Sequence, residues 1–215
     1  MKKFDITVCL DRSGSMQKGK DDFIGGLRSF INDQKGDDPT DFTLVQFDSE
    51  NNFELVFDGV DINLVDIDKV NLVPRGRTPL LDAVGKTIAH IENRIKNQTD
   101  IQPILFIISD GGENSSKEWS KPQVKNAIQE KKDWKIMFLG ADIDAFAEAG
   151  YIGINNMAAI NVVKTAAGIA GTYRAMSGSI SRMKEVYTCG GITADALLAA
   201  NYTDEERAIC IDTKS

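Results

Sequence analysis

Residues 104–112 of this 215-residue chain read ILFIISDGG, five consecutive apolar residues followed by a polar turn. A continuous apolar run of this length is typical of a strand that is buried on both faces of a parallel sheet. The same pattern recurs at residues 136–140, which read IMFLG. Two such strands predict a parallel or mostly parallel sheet with helices on both faces.

The remaining elements alternate around these two strands. Residues 4–10 and 158–162 are predicted strands, and residues 42–47 and 53–57 are predicted to form an antiparallel hairpin because only a short, turn-rich segment separates them. Apolar residues at helical spacing predict helices that begin near Phe23, Leu81 and Ile169, and capping-box spacing predicts two more, at Ser120 to Gln123 and at Thr203 to Glu206. The fold class is therefore α/β, with one domain in residues 1–187 and a C-terminal extension in residues 188–215.

Composition excludes several classes of protein. Lysine and arginine total 25 against 32 aspartates and glutamates, a net charge of −7, which is the wrong sign for a nucleic-acid-binding surface. The longest apolar run is far below the roughly 20 residues of a membrane span, and Asp5 interrupts any signal peptide, so we expect a soluble cytoplasmic protein. Three cysteines without paired spacing predict reduced thiols and no zinc site: Cys9, Cys189 and Cys210.

Polar residues gather at the ends of predicted strands. Asp11, Ser13 and Ser15 alternate in the loop after the first strand, and Asp110 follows the apolar run at residues 104–108. In open α/β sheets the ligand site lies beyond the carboxyl ends of the strands, where strand order reverses. The sequence therefore places one carboxylate and two hydroxyls beside a second carboxylate.

Thr78 can supply a third hydroxyl at the start of a helix. It precedes Pro79, and this pair predicts Thr78 as the N-cap and Pro79 as the first helical residue. Carboxylate and hydroxyl oxygens are hard ligands that suit Mg²⁺, Mn²⁺ or Ca²⁺. Two aspartates and three hydroxyls leave a place for a further, anionic ligand on a six-coordinate ion, and a carboxylate of another protein fits that place.

These residues carry a family resemblance. Residues 11–15 (DRSGS), 76–80 (GRTPL) and 109–111 (SDG) resemble the three segments of the metal-ion-dependent adhesion site of von Willebrand factor A domains, in family order and over about residues 4–187. The resemblance implies a doubly wound sheet with one antiparallel edge strand and an intact site. Residues 140–145 resemble a segment of stand-alone bacterial and phage members, which implies a prokaryotic or viral source and, for a phage protein, the host cytoplasm.

The resemblance also implies how the site is built. Ser13, Ser15 and Thr78 would be direct ligands of the ion, and Asp11 and Asp110 would hold it directly or through water. The implied function is a metal-dependent protein-binding module for adhesion or assembly, which captures an aspartate or glutamate of a partner. The sequence does not predict the identity of that partner or the oligomeric state.

Other functions remain as alternatives. A metal-dependent phosphohydrolase needs a nucleophile or general base near the ion, and the three motif loops contain no histidine, cysteine or lysine. A nucleotide-binding function is disfavoured because the loop after the first strand of this chain lacks the glycine-rich motif that binds phosphate. A structural component of a larger assembly, with a vestigial ion, stays open. We therefore expect a protein that is not an enzyme.

Polar and charged residues in or beside the motif loops have more than one interpretation. Arg75 and Arg77 either attract an acidic partner, pair with nearby acids or are solvated loop residues, and Arg12 either lies on the rim of the site or is a surface arginine without a function. Glu113 and Asn114 either line the same face as Asp110 or serve only the turn that follows it.

Overall fold

The computed structural model describes residues 3–190 and 194–211, and within these residues it contains one six-stranded sheet. The strands are β1 Lys3–Asp11, β2 Thr40–Phe47, β3 Glu54–Asp61, β4 Ile101–Ser109, β5 Lys135–Ala141 and β6 Ala159–Val162. The helices are α1 Lys20–Gln34, α2 Leu80–Ile95, α3 Lys121–Glu130, α4 Ala145–Ile152, α5 Ala166–Gly190, α6 Ala194–Ala199 and α7 Asp204–Cys210.

The strand order is β3-β2-β1-β4-β5-β6, and β3 is the antiparallel edge strand. The other neighbouring strands all pair in parallel. The chain therefore builds outward from β1 in one direction and from β4 in the other, so strand order reverses between these two. The predicted fold class is confirmed, including the hairpin of β2 and β3.

Helices cover both faces of the sheet. Side chains alternate between faces along β4, so Phe106 and its neighbour Ile107 point to opposite sides. Phe106 packs against Phe30 of α1, and the α1 helix contacts the α5 helix. Cys9 pairs with Ile107 in the sheet and contacts Thr87 of α2 on the other face. The continuous apolar runs seen in the sequence follow from this burial on two sides.

Local signals explain most helix boundaries. The predicted capping boxes are present at the starts of α3 and α7. The short helix α4 was not predicted, because its eight residues carry no long apolar stripe. Its start is nevertheless marked in the sequence, since the carboxylate of Asp144 caps the backbone N–H groups of Phe146 and Ala147.

The C-terminal helices pack on the rest of the fold. The backbone N–H of Val163, just after β6, donates to the carbonyl of Cys210 at 3.0 Å, and Arg182 of α5 forms an ion pair with Glu206 of α7. Cys9 and Cys210 are buried free thiols, as expected, whereas the side chain of Cys189 lies outside the described residues. Among the described residues no helix has the length and apolar character to cross a membrane.

Candidate metal centre

The candidate centre lies at the reversal of strand order between β1 and β4. Asp11 is the last residue of β1 and Asp110 directly follows β4. The two strands pair in parallel, with Leu10 opposite Ile108. Their following loops therefore leave the sheet side by side, at the edge where ligands bind in doubly wound folds.

Asp11 is fully buried, and neutral groups supply its hydrogen bonds. Its Oδ1 accepts the backbone N–H of Ser13 at 2.6 Å, and its Oδ2 accepts the hydroxyl of Ser109 at 2.6 Å. Burial raises the pKa of Asp11 to about 7, and these hydrogen bonds only partly oppose that shift. A cation bound beside Asp11 would therefore favour its charged form.

Asp110 joins the first loop through the two serine hydroxyls. The hydroxyl of Ser15 donates to Oδ1 of Asp110 at 2.6 Å and lies 3.1 Å from the hydroxyl of Ser13. The structure therefore brings Ser13, Ser15 and Asp110 into one chain of contacting oxygens, beside Asp11.

Thr78 is buried against the loop that follows Asp110. Its backbone N–H donates to the side chain of Asn114 at 2.9 Å, and the N–H of Asn114 donates back to the Thr78 carbonyl at 3.1 Å. A Cβ added at Gly111 would lie 2.8 Å from the Thr78 hydroxyl. All five predicted ligand residues thus lie on the three adjoining loops, and Asn114 has a positioning role.

The predicted N-cap role of Thr78 is wrong. The N-cap of α2 is Pro79, and the helix begins at Leu80. The N–H groups of the second and third helical residues donate instead to the side chains of Glu113, at 2.8 Å, and Ser116, at 3.0 Å. Because a neighbouring loop supplies these acceptors, the Thr78 hydroxyl has no capping duty.

A partly buried ionic network supports the loops from the side of β2. Arg12 is 4% exposed, so the interpretation of a solvated surface arginine is wrong. Its guanidinium binds Asp48 and Glu54, and Asp48 also accepts the Nε of Arg75 at 3.1 Å. Sequence reasoning missed Asp48 as a supporting residue, because its place directly after a predicted strand does not connect it with Arg12 or the motif loops.

Backbone contacts fix the loop of residues 75–78 against the first loop. The N–H of Gly14 donates to the carbonyl of Gly76 at 3.2 Å, and the N–H of Arg75 donates to the carbonyl of Arg12 at 2.9 Å. Gly76 has a φ of 64°, a conformation that glycine adopts without strain, and a Cβ there would overlap the hydroxyl of Ser49. The loop geometry therefore depends on glycine at this position.

Lys164, which sequence reasoning also missed, reaches the centre from the end of β6. Its ammonium binds Oδ2 of Asp110 and lies 3.4 Å from the carbonyl oxygen of Ser15. The lysine side chain is only 7% exposed. The three motif loops contain no lysine, but the fold brings one to them from a distant part of the chain.

The donor set fits a hard divalent ion. Among residues 3–190 and 194–211 there is no group of three or more His, Cys, Asp or Glu that could hold a metal. The centre instead combines two carboxylates with three hydroxyls, the oxygen chemistry of Mg²⁺, Mn²⁺ and Ca²⁺. Within this cluster the ammonium of Lys164 forms an ion pair with Asp110.

Comparison with solved structures identifies the fold. A vWF domain of the pilus tip protein Mfa5 from Porphyromonas gingivalis superposes with a TM-score of 0.64 at 11% identity, over 84% of this chain and 95% of that one. Proximal thread matrix protein 1 from the mussel byssus, with a zinc-occupied MIDAS motif, gives 0.61 at 16% identity over 82% of this chain. Manganese-loaded Plasmodium vivax TRAP protein gives 0.58 at 17% identity, over 76% of this chain and 69% of that one.

The chain therefore has the von Willebrand factor A-like α/β fold, with structural neighbours that are von Willebrand factor A domains. It spans 45% of the length of the mussel byssus protein. No family model and no curated protein matches the sequence. The named neighbours include a matrix protein and a pilus tip protein.

Proposed function

We propose that this chain is a metal-dependent protein-binding domain that captures an aspartate or glutamate of a partner protein. The ion would be held by Asp11, Ser13, Ser15, Thr78 and Asp110. The observation that carries the proposal is the chain of contacting oxygens of Ser13, Ser15 and Asp110 beside Asp11, with Thr78 close to the next residue, Gly111, at the reversal point of the sheet. Zinc in the MIDAS motif of the mussel byssus protein and the manganese loading of the TRAP protein support a divalent ion as the ligand of this site.

The charge and ligand types explain why the partner group would be an acid. Three of the five protein ligands are neutral hydroxyls, so a bound ion keeps much of its positive charge and its electrophilic character. Such an ion attracts a carboxylate from outside the chain, although the chain as a whole carries a net charge of −7. We propose Mg²⁺ as the natural ion, with Mn²⁺ or Ca²⁺ as substitutes.

A binding role suits the site better than catalysis. The three motif loops contain no histidine, cysteine or lysine that could act as a nucleophile or general base. Asp11 is enclosed by Ser13 and Ser109, which leaves it poorly placed as a nucleophile. We therefore propose that the chain binds its partner without transforming it.

Calorimetric titration of the purified protein with Mg²⁺ and Mn²⁺ tests the metal site. We expect the wild-type protein and Asp37→Ala, which removes an exposed loop acid, to bind equally, and Asp11→Ala to lose binding. At an ion concentration one hundredfold above Kd, the free energy of unfolding should rise by about 2.7 kcal/mol. Absence of binding by folded wild-type protein would falsify the proposal.

A peptide array tests the class of partner. Peptides that contain Asp or Glu should bind in the presence of Mn²⁺, and binding should disappear with a chelator. The matched peptides with Asn or Gln at the same positions should not bind. Chelator-resistant binding, or equal binding of acids and amides, would show that the ion does not capture a carboxylate.

A further inference from the structure

Lys164 is held in place by the segment that joins β5 to α4. Asp142 has a left-handed backbone, with φ of 55°, and its N–H donates to the carbonyl of Val162 at 2.8 Å. Its side chain accepts the N–H of Lys164 at 3.0 Å. Asp142 thus holds the chain at Val162, the last residue of β6, and again at Lys164. The side chain of Lys164 extends from there to Asp110.

The ammonium and a metal ion would need the same oxygens. Asp110 presents Oδ1 to the hydroxyl of Ser15 and Oδ2 to Lys164, and the ammonium also lies 3.4 Å from the Ser15 carbonyl. A divalent ion that takes Asp110 and the Ser15 hydroxyl as ligands would lie within a few ångströms of this buried positive charge. Two cations at that separation repel each other strongly where water is excluded.

The balance of charges gives the lysine a role in the ion-free protein. The centre holds two buried carboxylates, Asp11 and Asp110, and the hydrogen bonds to Asp11 come from neutral groups. Lys164 supplies one compensating charge to the pair. A buried carboxylate without a cation is costly, so an ion-free centre that lacked the lysine would be less stable.

We propose that Lys164 is a tethered cation that competes with the divalent ion for Asp110. The lysine neutralises the centre when the ion is absent, and ion binding requires the ammonium to leave Asp110. Lys164 thereby lowers the affinity for the ion and sets the ion concentration at which the domain becomes competent for its partner. The inference rests on the proposed function, because it concerns the same site.

The test compares Lys164→Met with Lys132→Met, which removes an exposed lysine on the loop between α3 and β5. Titration with Mn²⁺ should show at least tenfold tighter binding by Lys164→Met than by wild type, and no change for Lys132→Met. In a chelator, Lys164→Met should melt at a lower temperature than wild type. Lys164→Arg, which keeps a cation on the same tether, should bind Mn²⁺ no more tightly than wild type.

The outcomes separate the two proposals. Equal Mn²⁺ affinity of wild type and folded Lys164→Met would overturn the competition and leave the metal site standing. Binding by Lys164→Met alone would support the competition while contradicting a metal-dependent function of the wild-type chain. Failure of both to bind would contradict both proposals. If Lys164→Met does not fold, Lys164→Gln, with a polar neutral side chain, serves in the same comparison.

Discussion

The two buried aspartates of β1, near its opposite ends, differ in how their charge is compensated. Asp5 receives two hydrogen bonds from one guanidinium nitrogen of Arg94, at 2.6 and 2.8 Å, and Arg94 is fixed by the hydroxyl of Thr43. Asp11 receives neutral donors and shares its surroundings with a second carboxylate. One end of the strand is a closed ion pair, and the other is a centre that can accept an external cation.

The difference shows how to distinguish structural charge from functional charge in this fold. Burial raises the pKa of both groups, of Asp5 to about 6 and of Asp11 to about 7, so the shifted pKa alone does not separate them. The charged neighbours of Asp5 and Asp11 distinguish the two carboxylates. A carboxylate with its own arginine needs nothing further, whereas two carboxylates with one lysine leave the centre with excess negative charge.

The largest expected effect follows from opening the closed pair. Arg94→Met would leave Asp5 buried without its cation, and we expect the free energy of unfolding to fall by about 3–5 kcal/mol at pH 7.5. Urea denaturation measures the loss. The double variant Asp5→Asn with Arg94→Met should recover part of it, because no buried charge then remains. A loss below about 1 kcal/mol in the single variant would contradict the description of the pair as structural.

Proton uptake gives the next effect. The pKa of Asp5 lies near 6 in the folded protein against an ordinary 3.8, because burial outweighs the attraction of Arg94. At Asp5 the folded state therefore binds more protons between these values, and the contribution of Asp5 to stability falls as pH rises from about 4 to about 6. Asp5→Asn should lack this component, so the stability difference between wild type and variant should change by about 2–3 kcal/mol across that range.

Urea denaturation at closely spaced pH values, in a chelator, measures this difference. The contribution of Asp11 is common to both proteins and cancels. A wild-type stability curve that runs parallel to that of Asp5→Asn between pH 4 and 6 would show that Asp5 does not titrate there.

Local patterns were enough to predict the sheet. The runs at residues 104–108 and 136–139 are apolar at every position because both faces of the sheet are covered there. A pattern of consecutive apolar residues can be recognised from the sequence alone. The helix α4 was missed because it has only eight residues, too few for a long apolar stripe. Its clearest signal is the N-cap residue Asp144. The predicted N-cap at Thr78 failed because the real acceptors come from the loop of residues 113–116.

The site was predictable only in part, because some of its residues come from segments that are distant in the sequence. Asp11, Ser13 and Ser15 share one loop, and their alternation points to one ligand even without the fold. Lys164 and Asp48 act on that loop only after β6 and β2 take their places in the sheet. No local spacing connects them with the motif, so their roles depend on strand order and could not be read from the residues alone.

The smallest expected effect concerns the third loop, and it tests whether the open centre depends on the exact position of a hydroxyl. A Cβ at Gly111 would meet the Thr78 hydroxyl at 2.8 Å, whereas a Cβ at the next residue, Gly112, would meet the carboxylate tip of Glu148 at 2.9 Å. The buried threonine has little room to withdraw, but the end of a half-buried glutamate can rotate away. Gly111→Ala should therefore weaken Mn²⁺ binding about fivefold to tenfold, roughly 1 kcal/mol, and Gly112→Ala should leave it nearly unchanged.

Calorimetry on both variants decides this, with urea denaturation in a chelator to show that each remains folded. The pair of substitutions adds the same methyl group to adjacent positions, so general effects on the backbone are matched. Equal weakening by the two would mean that the loop after β4 is disturbed as a whole. Weakening by Gly111→Ala alone would tie the ion to the Thr78 hydroxyl, a contact that has no counterpart at the closed end of β1, where Asp5 is satisfied within the chain.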